Sequence, residues 1–177
     1  TTGVGSVPFA SPERAIDHVF SQYSVPFLPE VMGGADGEGG EKGGARPGDL
    51  PAMIARVLPR EALAAWRQVD KKAAKGMFRQ DSGSAMAADE VLKGWENLEE
   101  FLRRGRRHPH LKVQMCGPHL LAGFFGGQAG TEVASAAVRW VATLTRALTA
   151  RLTQESEAAF LLIWDEPGLA DHNLDEG

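Results

Sequence analysis

Asp165 and Glu166 are the side chains whose type and setting could do chemistry: they close the apolar run Ala159-Phe160-Leu161-Leu162-Ile163-Trp164 and are followed at once by Pro167. Six apolar residues without a polar break read as a strand buried on both faces, and carboxylates at its carboxyl end read as the mouth of a site. Adjacent strand residues point to opposite sides, so the two acids divide the work: one faces a ligand, while the other caps or anchors a loop. Pro167 cannot donate to a further ladder.

The other reactive groups point to packing. Cys116 is the one cysteine of the chain, which excludes an intramolecular disulfide and a Cys-rich zinc knuckle and fits a reducing compartment. His18, His108, His110, His119 and His172 are scattered, and no set of them has metal-ligand spacing. Eight of the sixteen residues in 33–48 are glycine, which predicts a flexible loop. Its Gly-Glu-Lys-Gly lacks the Gly-Lys-Ser/Thr ending of a phosphate loop. Arg103, Arg104, Arg106 and Arg107 fall where cations favour a helix carboxyl end, which predicts a solvated terminus rather than an anion site.

The elements that would position Asp165 follow from local pattern. Residues 2–8 predict a short first strand with glycines that allow close backbone approach. Ser11-Pro12-Glu13 starts a helix running to about Tyr23, with Ile16, Val19 and Phe20 as its apolar stripe. Residues 25–31 read as a second strand ending at Glu30, despite Pro26 and Pro29. From 49 to 105 apolar residues recur at helical spacing and predict three helices, with a break at Gln80-Asp81-Ser82-Gly83-Ser84 and an end at Gly105. Residues 111–116 alternate as a strand and run into a tight loop at Gly117-Pro118. A long helix spans about Thr131 to Gln154, and the last strand follows.

Strand and helix alternation in this order predicts an α/β fold with parallel strands and right-handed crossovers, with ligands at the strand carboxyl ends. At 177 residues, with 43% hydrophobic and 24% charged residues, the chain is expected to form one globular domain. A net charge of −4 argues against nucleic acid as partner. No apolar run reaches the roughly 20 residues of a membrane helix, so a cytoplasmic location without a membrane partner is expected. The start without Met and the end directly after a strand and its loop predict a piece of a longer protein.

Taken together, Thr2-Gly-Val-Gly-Ser-Val-Pro-Phe with Ser11-Pro-Glu-Arg-Ala, Val25-Pro-Phe-Leu-Pro-Glu, Val113-Gln-Met-Cys-Gly-Pro and Ile163-Trp-Asp-Glu-Pro-Gly-Leu resemble the cobalamin-independent methionine synthase family and its short stand-alone relatives. These belong to the barrel superfamily of uroporphyrinogen decarboxylase. The resemblance implies a parallel (β/α) barrel of the TIM type, present here as a partial barrel of about four strands with outer helices. It implies methyl transfer from a methylated folate to a thiol such as homocysteine. Gly5 and Ser6 would then hold the amino acid's carboxylate through backbone amides, Asp165 its ammonium, and Glu30 would sit near the site. In that family zinc activates the thiol, but the His-x-Cys pair and the later ligands lie beyond the Asp-Glu-Pro segment, so the resemblance places no metal ligand in this chain. Cys116 stands where the family usually has threonine before Gly-Pro, so the resemblance implies barrel packing rather than a thiolate. A non-catalytic amino-acid-binding or regulatory module is the alternative reading. A decarboxylase-like barrel is the weaker one, since basic residues are missing from the strand ends. A half-barrel exposes sheet edges, which predicts a homodimer.

Overall fold

The computed structural model describes residues 1, 6–7, 9, 11–31, 50–68, 70–95, 97–128 and 130–166. Gly5, the glycine-rich segment 33–48 and Pro167 lie outside the described residues. Strand β1 (Ser6–Val7) is followed by α1 (Pro12–Gln22) and β2 (Glu30–Val31). Five helices come next: α2 (Leu50–Val57), α3 (Arg60–Arg67), α4 (Lys71–Asp81), α5 (Ala85–Lys93) and α6 (Leu98–Gly105). Strand β3 (His110–Cys116), α7 (Pro118–Phe124), the long α8 (Glu132–Glu155) and β4 (Ala159–Asp165) complete the order.

Local signals place several of these elements. Ser11 caps α1, its hydroxyl accepting from the Arg14 amide at 3.5 Å, with Pro12 at the first helical position; both leave fewer orphan donors in the first turn. Thr131 caps α8 in the same way, accepting from the Ala134 amide at 3.2 Å. The apolar stripe of α8 buries Val133, Ala137, Trp140, Val141, Leu144, Leu148 and Leu152, the face its spacing predicts. Between 49 and 105 five helices form where three are expected. The chain stops at Pro59, which lacks an amide donor, and restarts at Asp70, whose carboxylate accepts from Ala73 at 2.9 Å; it restarts once more at Asn97. Gly117-Pro118 opens α7 instead of a loop.

The expected partial barrel of about four strands with outer helices is not formed. The described chain is mostly helical, and its strands make two separate parallel pairs: β1 with β2 over two residues each, and β3 with β4 in the register His110–Ala159 through Cys116–Asp165. Among the described residues the pairs meet at the bridge between Phe27 and Lys112, where Leu28 donates to the Lys112 carbonyl at 2.9 Å and Lys112 to that of Pro26 at 2.8 Å. Pro26 and Pro29 explain the short ladder, because neither can donate to a neighbour. The predicted second strand is thereby reduced to a bridge and two paired residues.

Strand β4 departs from expectation as well. With β3 as its one neighbour among the described residues, it is half-exposed rather than buried on both faces, and Leu161 and Trp164 are 49% and 52% accessible. The main core lies instead between the helices and one face of β3, where Leu111, Val113 and Met115 join Ile54, Phe78, Leu92, Phe101, Trp140 and Leu144. A smaller cluster of Val7, Ala15, Val19 and Phe27 seats α1 on β1. No described helix is long and apolar enough to cross a membrane.

Candidate functional site

Alternation along β3 puts Leu111, Val113 and Met115 in the core and turns Lys112, Gln114 and Cys116 to the opposite face. Parallel pairing aligns these three with Leu161, Ile163 and Asp165 of β4. Asp165 therefore shares a face with two buried polar side chains, Lys112 at 8% and Gln114 at 6% accessibility. Burial raises the Asp165 carboxyl above its ordinary range, the Glu30 carboxylate raises it further, and the Lys112 ammonium opposes both. Glu30 and Lys112 thus both act on Asp165 across the site.

Glu30 arrives on β2 and is in register with Ser6 of β1, so Ser6 joins the group through its ladder partner. The Glu30 carboxylate accepts from Arg56 Nη1 of α2 at 3.2 Å. Arg56 lies over the Trp95 ring at 4.3 Å, a cation–π contact that holds the guanidinium in one place. Burial lowers the Arg56 pKa while Glu30 raises it. The other described acid at this end is Glu166, and it takes the anchoring role: its oxygens accept from the His119 and Leu120 amides of α7 at 2.8 and 2.7 Å. A Cβ on Gly117 would collide with that carboxylate. Gly117→Ala is therefore expected to push Glu166 off the α7 amides and cost about 1–2 kcal/mol, as the loss of a helix cap does. A urea midpoint equal to that of the native chain would contradict this.

Gln114 Oε1 and Asn97 Oδ1 are buried acceptors without a hydrogen-bond partner among the described residues. Such an acceptor is costly to leave unmet. Gln114 stands on the same face as Asp165, so a bound donor could satisfy it. Lys112 and Gln114 stand on the same face as Asp165 and were not anticipated from the sequence. Their signal is visible in retrospect as two polar positions alternating with three core positions along one strand.

The thiol of Cys116 is pushed up to about 12 by burial, with Glu166 and Asp165 adding to the effect, and it sits 3.4 Å from the Gly117 carbonyl. It stays protonated at neutral pH and is neither a ready nucleophile nor a metal thiolate. Among the described residues no three His, Cys, Asp or Glu groups could hold one metal ion, so they do not fit a zinc centre. Two of the histidines are occupied otherwise: His18 packs between Phe9 and Tyr23, and His108 Nδ1 contacts the His110 carbonyl at 2.8 Å. Arg103 and Arg104 both bond Glu100, at 2.6 and 2.7 Å, and Arg104 also reaches Asp17 of α1. Those bonds hold the Glu100 carboxyl down at about 2. This part of the arginine cluster fastens α6 to α1.

No protein-family model matches the chain, and no curated protein or solved structure is significantly similar to it.

Proposed function

We propose that the carboxyl ends of β3 and β4 bind a small amino acid as its zwitterion. The observation that carries this reading is the pairing of a desolvated acid, Asp165, with the unmet acceptor Gln114 Oε1 on the same strand face. An ammonium group supplies both a positive charge for Asp165 and a proton for Gln114, and charge-assisted bonds of this kind contribute about 1.5–3 kcal/mol. Lys112, buried beside them, suits the ligand's carboxylate. The motifs shared with cobalamin-independent methionine synthases favour a thiol amino acid, homocysteine, as the ligand. They favour S-methyl transfer from a methylated folate as the reaction served. Ser6, in register with Glu30, is the described part of the segment that this resemblance assigns to the ligand.

The test is calorimetric titration with homocysteine and with methionine, using the N-acetylated amino acid as the control without an ammonium group. Asp165→Asn is expected to weaken binding about 10–100-fold, the equivalent of one charge-assisted bond. Because the ionised acid is the binding form, affinity is expected to rise as pH rises through the elevated pKa of Asp165. Binding that ignores both the substitution and the acetyl group would remove the pocket from this end of the sheet.

A further inference from the structure

At the other end of α7 from Glu166, roughly 10 Å away along the helix axis at 1.5 Å per residue, a cavity of about 800 Å³ opens among α3, α4 and the end of α7. Trp66, Phe124 and Phe125 form its apolar wall, and Lys71, Lys72 and Lys75 its charged one. We propose that this cavity binds a small organic anion of nucleotide size, a flat ring carrying phosphate groups. The site is independent of the strand ends and of any amino acid held there.

Three observations converge on this ligand. The cavity lies within the roughly 300–1,000 Å³ of ordinary small-molecule sites. Trp66 and Phe124 are half-buried and meet at 5.5 Å with their planes at 63°, which leaves ring surface beside the opening for a flat group to pack on. Phe125 behind them is stacked on Phe78 at 4.8 Å, so the wall is fixed before a ligand arrives.

The lysines are placed against the interest of their own helix. Lys71 and Lys72 open α4, where the aligned peptide dipoles disfavour positive charge. Lys75 stands four residues after Lys71 and three after Lys72, a like-charge spacing that destabilises a helix. None of the three makes an ion pair with a described residue, and no acid is among the described residues that line the cavity. Two or three phosphate charges would cancel all of these repulsions at once, and the ring would take the aromatic wall.

Titration of the full chain with ADP and with FMN, followed by calorimetry and by tryptophan fluorescence, tests the proposal. Adenosine serves as the ring without charge and inorganic diphosphate as the charge without a ring. At least one of the two nucleotides is expected to saturate below about 1 mM, with its two fragments each at least tenfold weaker. Its affinity is expected to fall steeply between about 0.05 and 0.5 M salt as the charges are screened. The triple variant Lys71→Ala, Lys72→Ala, Lys75→Ala changes surface charge alone and is expected to weaken binding at least tenfold with the circular dichroism spectrum unchanged. Trp66→Leu, which keeps an apolar wall without the indole, is expected to weaken the nucleotide and leave diphosphate as it was. Absence of saturation by both nucleotides, or equal affinity in the triple variant, would overturn the proposal.

Discussion

Trp140→Ala is expected to lower the unfolding free energy by about 3–5 kcal/mol, the range for removing a large aromatic side chain from a packed core. Trp140 is fully buried, and its indole Nε1 donates to the Val57 carbonyl at 2.6 Å. That carbonyl closes α2, where the helix has no internal partner for it. The neighbouring carbonyl of Arg56 is met in the same manner by Trp95 Nε1 at 3.0 Å. Two indoles therefore finish one helix, and that helix carries the arginine on Glu30. Trp140→Ala leaves both a cavity and an orphaned buried acceptor. Trp140→Phe keeps most of the volume and is expected to cost about 1–3 kcal/mol for the unmet carbonyl. Denaturant unfolding of both variants separates the contributions, and a cost below about 1 kcal/mol for the alanine would mean that α8 does not pack on α2 as described.

Arg56→Ala is expected to cost about 2–3 kcal/mol, between the values for exposed and fully buried ion pairs. The Arg56 and Glu30 side chains are 19% and 16% accessible, so Glu30 would be left partly desolvated, without this guanidinium, next to Asp165. The cost should shrink when Glu30 is already Gln, and a penalty for Arg56→Ala that is the same in the Glu30→Gln background would rule out the charge account. The site feels the same change. Asp165 already titrates above its ordinary value because of burial and Glu30. Between the ordinary and the raised value the folded chain binds more protons than the unfolded one, so this group's contribution to stability falls as pH rises through that window. Removing Arg56 adds negative potential and stretches the window upward. Stability profiles against pH for the native chain, Arg56→Ala and Asp165→Asn check the sign: the downward slope should extend to higher pH in the first variant and flatten in the second. Arg56→Met combined with Glu30→Gln should recover most of the loss, since replacing both partners leaves no stranded charge.

These effects depend on contacts between segments far apart in the chain, and they divide what was legible beforehand from what was not. Ser11-Pro12-Glu13 announces α1, and the three-to-four spacing from Val133 to Leu152 announces α8, because caps and periodicity act within a few residues of themselves. The strand of Leu111 to Cys116 was legible for the same reason, since alternation is a property of the backbone; that Glu166 rather than Asp165 is the acid on the α7 amides was not. The five-helix division of 49–105 was half legible. Pro59 and Asp70 are stop and start signals, but apolar spacing continues across them and masks the breaks.

Ladder length, the number of neighbours each strand has and the face each buries are set by non-local packing. The run from Ala159 to Trp164 has the composition of a strand covered on both sides, yet composition does not say how many strands lie beside it, and among the described residues only β3 does. Pro26 and Pro29 were visible, but their consequence, a sheet interrupted at Phe27, required the position of Lys112 opposite them. The desolvation of Asp165, the seating of Arg56 on Trp95 and the meeting of three α4 lysines with Trp66 and Phe124 likewise join side chains that no local pattern brings together. The amino-acid order by itself determined the helices with clear caps, the β3 strand and the acids at the end of β4. Only tertiary packing decided which polar groups lost their water, and desolvation is what turns a carboxylate or a lysine into a site.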